Sequence, residues 1–458
     1  MAKKPGFVDI AGISFFIYSI YFGAGNLIFP IRIGYRVGDH LTPAMIGFVV
    51  AAVILPAMVV WACTRVDGGV EKVTAPLPRW FAVLIGILMY LIIGPLLGLP
   101  RFSGVAYTTL QPLLPDDNGG KTLPMIFSVI FFGATLALSI NPARILQIVG
   151  KIMAPALVVV LLAIAIGAIL FPQGPVALPD ESLGATNTMD YFLFGFEEGY
   201  QALNALGSLV LGIVIISAVH GLGLDKKGVA HYTMVGMLGA GIGLTVTYGA
   251  LAYLGATAHD LVGVPQSAVT GAEIAPPYAN ALYGIWGTIA LAIVILLACF
   301  TTAIGIITAC GEYFSKLFPS IGYKTWATVF TALSILIANI GLGPLLIAAK
   351  PLLLGIYPIA MCIVFLSLLK NTMKNQRFVF VFTLIPVVPL GILEGAITAK
   401  IAAVEPIVNA INWLPLFDEG FGWLFPALVF YIIGMLICPI GDQTLIASNS
   451  GNPEPEIG

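Results

Sequence analysis

The stretch "YFGAGNLIFP", residues 21–30, lies between apolar runs, yet it places Gly23, Gly25, Asn26 and Pro30 where an uninterrupted helix would be expected. Two glycines flanking one residue can open a helix, because glycine adopts backbone conformations that other residues avoid. The freed N–H and C=O groups then lose their internal partners. In lipid each stranded group costs several kcal/mol unless it faces protein or a polar cavity. What surrounds this stretch therefore decides what the break is for.

The surroundings are those of a bilayer protein. Hydrophobic residues make up 59% of the 458 and charged residues 9%, with a mean hydropathy of +1.02, whereas about a quarter of a soluble domain is charged. Apolar stretches at 44–63, 80–100, 123–140, 153–171, 210–219, 232–254, 285–310, 326–340, 352–369, 379–398 and 423–438 recur along the chain. Most are long enough to cross a hydrocarbon core of about 30 Å as a helix. With the first segment they predict about twelve spans, none with the alternation of a barrel strand. The expected fold is all-α and polytopic. No polar connection approaches domain size, so one transmembrane domain is expected over 1–458. No A-x-A-like site follows Lys3 and Lys4, and Met1 onward is read as the mature chain. Cys63, Cys299, Cys310, Cys362 and Cys438 lie in or beside apolar spans without metal-ligand spacing and read as small buried hydrophobes.

Lys and Arg favour cytoplasmic loops. With the N-terminus inside, the inner connections carry Lys3, Lys4, Arg65, Lys72, Arg79, Arg144, Lys151, Lys226, Lys227, Lys316, Lys324, Lys370, Lys374 and Arg377, 14 of the 20 basic residues. Asp116, Asp117, Asp180, Glu181, Asp260, Glu273, Glu405, Asp418 and Glu419 fall outside. Both termini are thus expected in the cytoplasm, and the polar, Pro-rich tail 441–458 is expected to be disordered.

A second interruption reads "FGFEEGYQ", residues 194–201, beside an apolar span beginning "LNALGSLVLGIVII". An ionisable residue at membrane depth costs at least ~2.5 kcal/mol, which makes Glu197 and Glu198 functional candidates; the alternative is that both face water at the interface. For the glycines of both stretches the alternative is close helix packing. The two breaks fall in the first and sixth spans, and paired Gly-interrupted spans in corresponding positions point to a secondary transporter built of inverted five-helix repeats. The expected division is 7–171 and 190–369 for the repeats, with two further helices over 376–440. A third piece, "LLACFTTAIGIITAC" at 296–310, sets Ala298, Thr301 and Thr302 where a carbonyl and two hydroxyls can converge on one side of a helix. Such neutral oxygens suit a hard cation; threonines also often bond their own i−4 carbonyls instead.

Together "FGAGNLIFP", "GPLLGLPR" (94–101), "GFEEGY" with "LGSLVLGIVI", and "ACFTTAIGIITACGEYF" (298–314) resemble the signatures of the branched-chain amino acid:cation symporters, BrnQ-type carriers of bacteria, over nearly the whole chain. The family is similar in architecture to LeuT-like transporters, and that similarity implies roles. The carbonyls of Ser19 and Phe22, with Ala298, Thr301 and Thr302, would form a sodium site. The N–H groups of Ala24 and Gly25 would receive the substrate carboxylate, as helix N-termini favour anions. Asn26 would offer its oxygen to a second sodium ion. Phe194, Gly195, Glu198, Gly199 and Tyr200 would surround the substrate at the second break, with Tyr107 as a further wall. Where the family continues its sixth-span motif as GYxTMD, this chain reads "GYQALN" at 199–204, losing a hydroxyl and a carboxylate. Arg101 follows Pro100 inside the third span; Glu198 or another acidic group would be its partner, or it snorkels to the interface.

The expected function is Na⁺-coupled symport of leucine, isoleucine or valine by alternating access in the inner membrane of a bacterium, with the lipid bilayer as surroundings and no obligatory protein partner. A proton-coupled carrier of another small neutral amino acid stays open, because Glu198 could carry H⁺ if buried. An ion channel is disfavoured, since no carbonyl-filter repeat or charged ring is present. An enzyme is disfavoured too, since His40, His220, His231 and His259 are scattered and form no H-E-x-x-H motif. A net charge of −2 offers nucleic acid no basic surface beyond the inner loops.

Overall fold

The structure, a computed structural model, describes residues 6–115, 120–140, 154–262 and 270–437. Lys3, Lys4, Asp116, Asp117, Arg144, Lys151, Cys438, the tail 441–458 and both chain ends lie outside the described residues.

The first span is two helices, Phe7–Tyr21 and Ala24–Val37, parted at Phe22 and Gly23. The chain turns at Gly38, whose φ of 52° suits glycine, and there a Cβ would strike the Ala177 carbonyl oxygen. The second span follows as Leu41–Val49 and Leu55–Val66, joined through a wide helical turn at Val50–Ile54. The third is Arg79–Leu91 and Gly98–Leu110 with a kink at Gly94 and Pro95. Thr122–Ser139 and Ala154–Leu170 are the fourth and fifth.

The sixth span is again two helices, Thr188–Gln201 and Asn204–His220, bent by 40°. Lys226–Ala256 is the seventh. Helix Gly271–Leu317 folds at Gly284, φ 62°, so that its 285–317 part is the eighth span. Tyr323–Ala338, Leu342–Leu369, Gln376–Thr398 and Leu424–Ile437 complete the order. Among the described residues seven helices are long and apolar enough to cross a membrane, eight with the bent sixth-span pair, and shorter apolar helices stand beside them. Their outer surface stays apolar, with Trp80, Ile130, Leu170, Val246, Trp286 and Leu436 exposed, as lipid-facing residues should be.

Small residues decide how closely the inner spans meet. A Cβ at Gly34 would collide with the Ala252 carbonyl oxygen, and one at Gly255 with that of Ile31, so the first and seventh spans touch backbone to backbone. The sixth span meets the second in the same way. A Cβ at Gly195 would collide with the Ala44 carbonyl oxygen, and one at Gly199 would lie 2.5 Å from the Ala51 Cβ. Gly195→Ala is therefore expected to cost at least about 1–3 kcal/mol by overpacking, read as a lowered Tm of the detergent-purified protein. Gly133→Ala, where an added Cβ meets nothing within 4 Å, should leave Tm unchanged or slightly raised.

Candidate functional site

At the first break the helical ladder is released at two carbonyls. Gly23 N–H bonds the Tyr21 oxygen at 2.9 Å instead of that of Ser19, and Asn26 N–H bonds the Gly23 oxygen at 3.1 Å instead of that of Phe22. The Ser19 and Phe22 carbonyls named from sequence are therefore free of the N–H groups that would continue the helix. Helix Ala24–Val37 then opens with Gly25 against Ala202, whose carbonyl oxygen lies 3.4 Å from the place of a Gly25 Cβ.

The second break is displaced from the place that sequence suggests. "GFEEGY" is continuous helix, and the chain opens only after Gln201, where Leu203 takes a left-handed φ of 65° before Asn204 starts the next helix. Gly195 and Gly199 serve the packing against the second span described above, so the alternative raised for these glycines holds here. Phe194 lies outside the break, its ring 5.4 Å from the Arg36 guanidinium carbon. The Tyr200 carbonyl accepts from Tyr357 Oη at 2.8 Å, and the two rings stack with centroids 3.8 Å apart.

The two breaks face each other through a pair of amides. Asn26 Nδ2 donates to Asn204 Oδ1 at 2.9 Å, and Asn204 Nδ2 returns a bond to Asn26 Oδ1 at 2.9 Å. Asn26 Nδ2 also reaches the Tyr21 carbonyl. Its oxygen takes a further bond from Tyr248 Oη at 2.7 Å, and Asn204 Nδ2 bonds the Ala52 carbonyl at 2.8 Å. Tyr21 Oη and Ser208 Oγ, 2.6 Å apart, tie the first break to the second once more. Asn26 is 3% exposed and its oxygen already holds two donors, an arrangement that gives the side chain a structural task. Asn204, which the sequence marks only as a departure from a motif, is its partner; two asparagines each at a break were the available signal.

A cavity lies between the breaks, lined among others by Gly23, Gly25, Arg101, Phe102, Asn204 and Thr302. Thr302 comes to the first break, its Oγ1 4.0 Å from the place of a Gly23 Cβ. Thr301 and Thr302 both donate to the Ala298 carbonyl, at 3.0 and 2.9 Å. Each hydroxyl keeps lone pairs after donating, so this back-bonding is compatible with a cation. The donor set of carbonyls and hydroxyls is chemically fit for Na⁺, a hard ion. Among the described residues no group of three or more His, Cys, Asp or Glu could hold a metal. Tyr107 is elsewhere, lining a recess with Gln111, Glu273 and Pro276.

Glu198 pairs with Arg32, which the sequence analysis did not single out. Arg32 Nη1 lies 2.8 and 3.0 Å from the two carboxylate oxygens, and Gln201 Nε2 adds a bond to Oε1 at 3.3 Å. Arg101 is neither its ion-pair partner nor at the interface. At 1% exposure it is fully buried, with Nη1 donating to the Gln201 carbonyl and the guanidinium carbon 5.3 Å from the Phe29 ring centre. Arg32–Glu198 ties the first span to the sixth. Above it Arg36 meets Asp180 at 2.9 Å, and Lys350 meets Glu197. Burial alone would raise the Asp180 carboxyl, but hydrogen bonds from Ser182 and Arg36 hold it below the usual carboxylate range. Ile20, Leu211 and Ile306, from the halves of their spans toward the basic loops, line the opposite end.

Residues 7–440 match the profile of the family described as "Branched-chain amino acid transport protein". The branched-chain amino acid transport system 2 carrier protein of Pseudomonas aeruginosa is 37% identical over 95% of this chain and 97% of its own length. The branched-chain amino acid permeases BraB of Bacillus subtilis and BrnQ of Escherichia coli are 34% and 32% identical, over 94% and 93% of this chain and 95% of each relative. Among solved structures the chain is similar in fold to inward-facing Mhp1, with a TM-score of 0.61 at 13% identity over 95% of this chain and 94% of that one. It is also similar to MhsT in complex with L-phenylalanine, with a TM-score of 0.58 at 16% identity over 93% and 97%. The curated relatives are carriers and permeases by name, and the enzyme class falls away. With two broken spans meeting across a buried cavity and relatives of this kind along its length, this multi-pass membrane chain belongs to the branched-chain amino acid transport protein family.

Proposed function

We propose that the protein carries leucine, isoleucine or valine into a bacterial cell together with Na⁺, as a single chain in the inner membrane with both termini in the cytoplasm. The observation that carries this is the cavity between two helix breaks, with Thr302 of the eighth span at the first of them. Substrate sits where Gly23, Gly25, Phe102 and Leu203 offer apolar wall beside released backbone groups. Na⁺, the second cargo, is held by the Ser19 and Phe22 carbonyls with Ala298, Thr301 and Thr302, and its charge favours the closed arrangement of the first and eighth spans. Alternating access exposes the cavity first to one side of the membrane and then to the other. One methylene in an apolar pocket is worth about 1–3 kcal/mol, so discrimination among the three substrates is modest.

Glu198 is engaged by Arg32 at 2.8 Å, so the neutral oxygens at the first and eighth spans, and not this carboxylate, are proposed as the ion site. The test is uptake of labelled isoleucine into proteoliposomes under an inward Na⁺ gradient or a matched H⁺ gradient. Uptake is expected to follow Na⁺, and Thr302→Ala is expected to lower it at least about tenfold, the equivalent of one lost ligand at ~1.4 kcal/mol. Uptake that follows H⁺ alone, or a Thr302→Ala protein with unchanged Na⁺ dependence, would defeat the proposed ion site. Failure to transport any of the three amino acids would defeat the substrate.

A further inference from the structure

Arg101 is an unusual residue to find at the centre of a membrane protein. It is 1% exposed, and its Nε and Nη2 meet no hydrogen-bond partner among the described residues. Among the described residues it donates to one neutral carbonyl, that of Gln201, and lies over the Phe29 ring, with Glu198 and Tyr357 near enough to act on its charge. The carboxylate nearest to it in sense of charge, Glu198, already takes Arg32 through both oxygens. Two guanidiniums are thus set against one carboxylate, which leaves a buried positive charge without its anion. A buried cation is costly unless a partner of opposite charge arrives.

We propose that Arg101 is the group that recognises the substrate's α-carboxylate, its two unpartnered N–H positions supplying the planar fork that a carboxylate matches. The inference rests on the reading of the chain as an amino acid carrier and adds to it the residue that selects for the acid function. Two independent features meet in the same cavity. Arg101 lines it, and so do Gly23 and Gly25 at the start of helix Ala24–Val37, whose first N–H groups and dipole also favour an anion. The sequence implies the helix end alone. The structure adds a side chain from the third span, across the cavity from it, and charge-assisted bonds to a guanidinium fork are the stronger kind. The substrate carboxylate then gives Arg101 a local counter-ion, while the ammonium is held elsewhere in the site, so that an amino acid is worth more to this site than its amide or amine.

The test is binding of isoleucine and of isoleucinamide to the purified full chain, with Arg101→Met and Arg101→Lys beside the native protein. The native protein is expected to prefer isoleucine by about 100-fold or more. Arg101→Met should lose that preference while keeping its affinity for the amide. Without ligand it should melt at or above the native temperature, because it removes a charge that has no counter-ion. Arg101→Lys should retain part of the preference, having the charge without the fork. An Arg101→Met protein that still prefers the acid, or a native protein that binds acid and amide equally, would overturn the proposal while leaving the carrier reading intact. A fall in unliganded Tm in both variants with all binding lost would overturn it in favour of a purely structural arginine. Native protein that binds neither isoleucine, leucine nor valine would overturn the carrier reading, and this proposal with it.

Discussion

Glu198→Ala is expected to destabilise the protein by about 3–5 kcal/mol, the usual consequence of removing one partner from a buried ion pair. The glutamate is 4% exposed and holds Arg32 at 2.8 Å, while Gln201 adds a third bond to the same carboxylate. Alanine would leave Arg32 without an anion and would remove the acceptor that orients Gln201. The loss should show as a lower Tm and a faster loss of monodisperse protein in detergent. The exchanged pair Arg32→Glu with Glu198→Arg should recover part of what either single change loses. If Glu198→Ala melts with the native protein, or if the exchanged pair is no better than the worse single variant, the pair does not stabilise the fold.

Asn204→Leu should come next in size, at roughly 3 kcal/mol or more, because it strands several buried groups at about 1–3 kcal/mol each. Those groups are the Ala52 carbonyl, and one donor and one acceptor on Asn26. Asn26→Leu strands Tyr248 Oη and the reciprocal groups on Asn204. The two changes share one pair of hydrogen bonds, so their effects should not add, and a double-mutant cycle should return a coupling of about 0.5–3 kcal/mol. Strict additivity in Tm or in denaturant midpoint would mean that the amides do not hold the breaks together. Transport should fall in both single variants even where folded protein is recovered, since the amides fix the two breaks around the cavity.

The membrane class, the all-helical polytopic fold and the family were legible from the chain alone, because each is a local or compositional property. From "FGAGN" alone either a break or close packing was possible, and it was the second Gly-containing stretch, in the corresponding span, that favoured a break. Thr302 was legible too: its position beside the first break follows from a motif and is where the structure puts it. The second break was not. In "GFEEGY" the sequence offers two glycines four residues apart, where the first break has two flanking a single residue, and nothing local tells whether a glycine opens a helix or admits a neighbour. The answer depends on Ala44, Phe48 and Ala51 of another span, whose backbone comes so close that a Cβ would not fit. The chain opens instead at Leu203, φ 65°, between the Gln201 carbonyl that accepts from Arg101 and the Asn204 amide that pairs with Asn26 across the molecule.

Charge and amide partners escape the sequence for the same reason. Arg32 finds Glu198 across 166 residues, and Asn26 finds Asn204 across 178. Sequence spacing sets neighbours within a helix, whereas these contacts are set by which helix faces cross at mid-membrane. The sequence by itself determined that polar groups would be buried in lipid at two interruptions. Only the tertiary structure decided which of them neutralise one another and that Arg101, a residue lining the cavity, has two nitrogens without a hydrogen-bond partner among the described residues, because that outcome depends on distances between spans rather than on order along the chain.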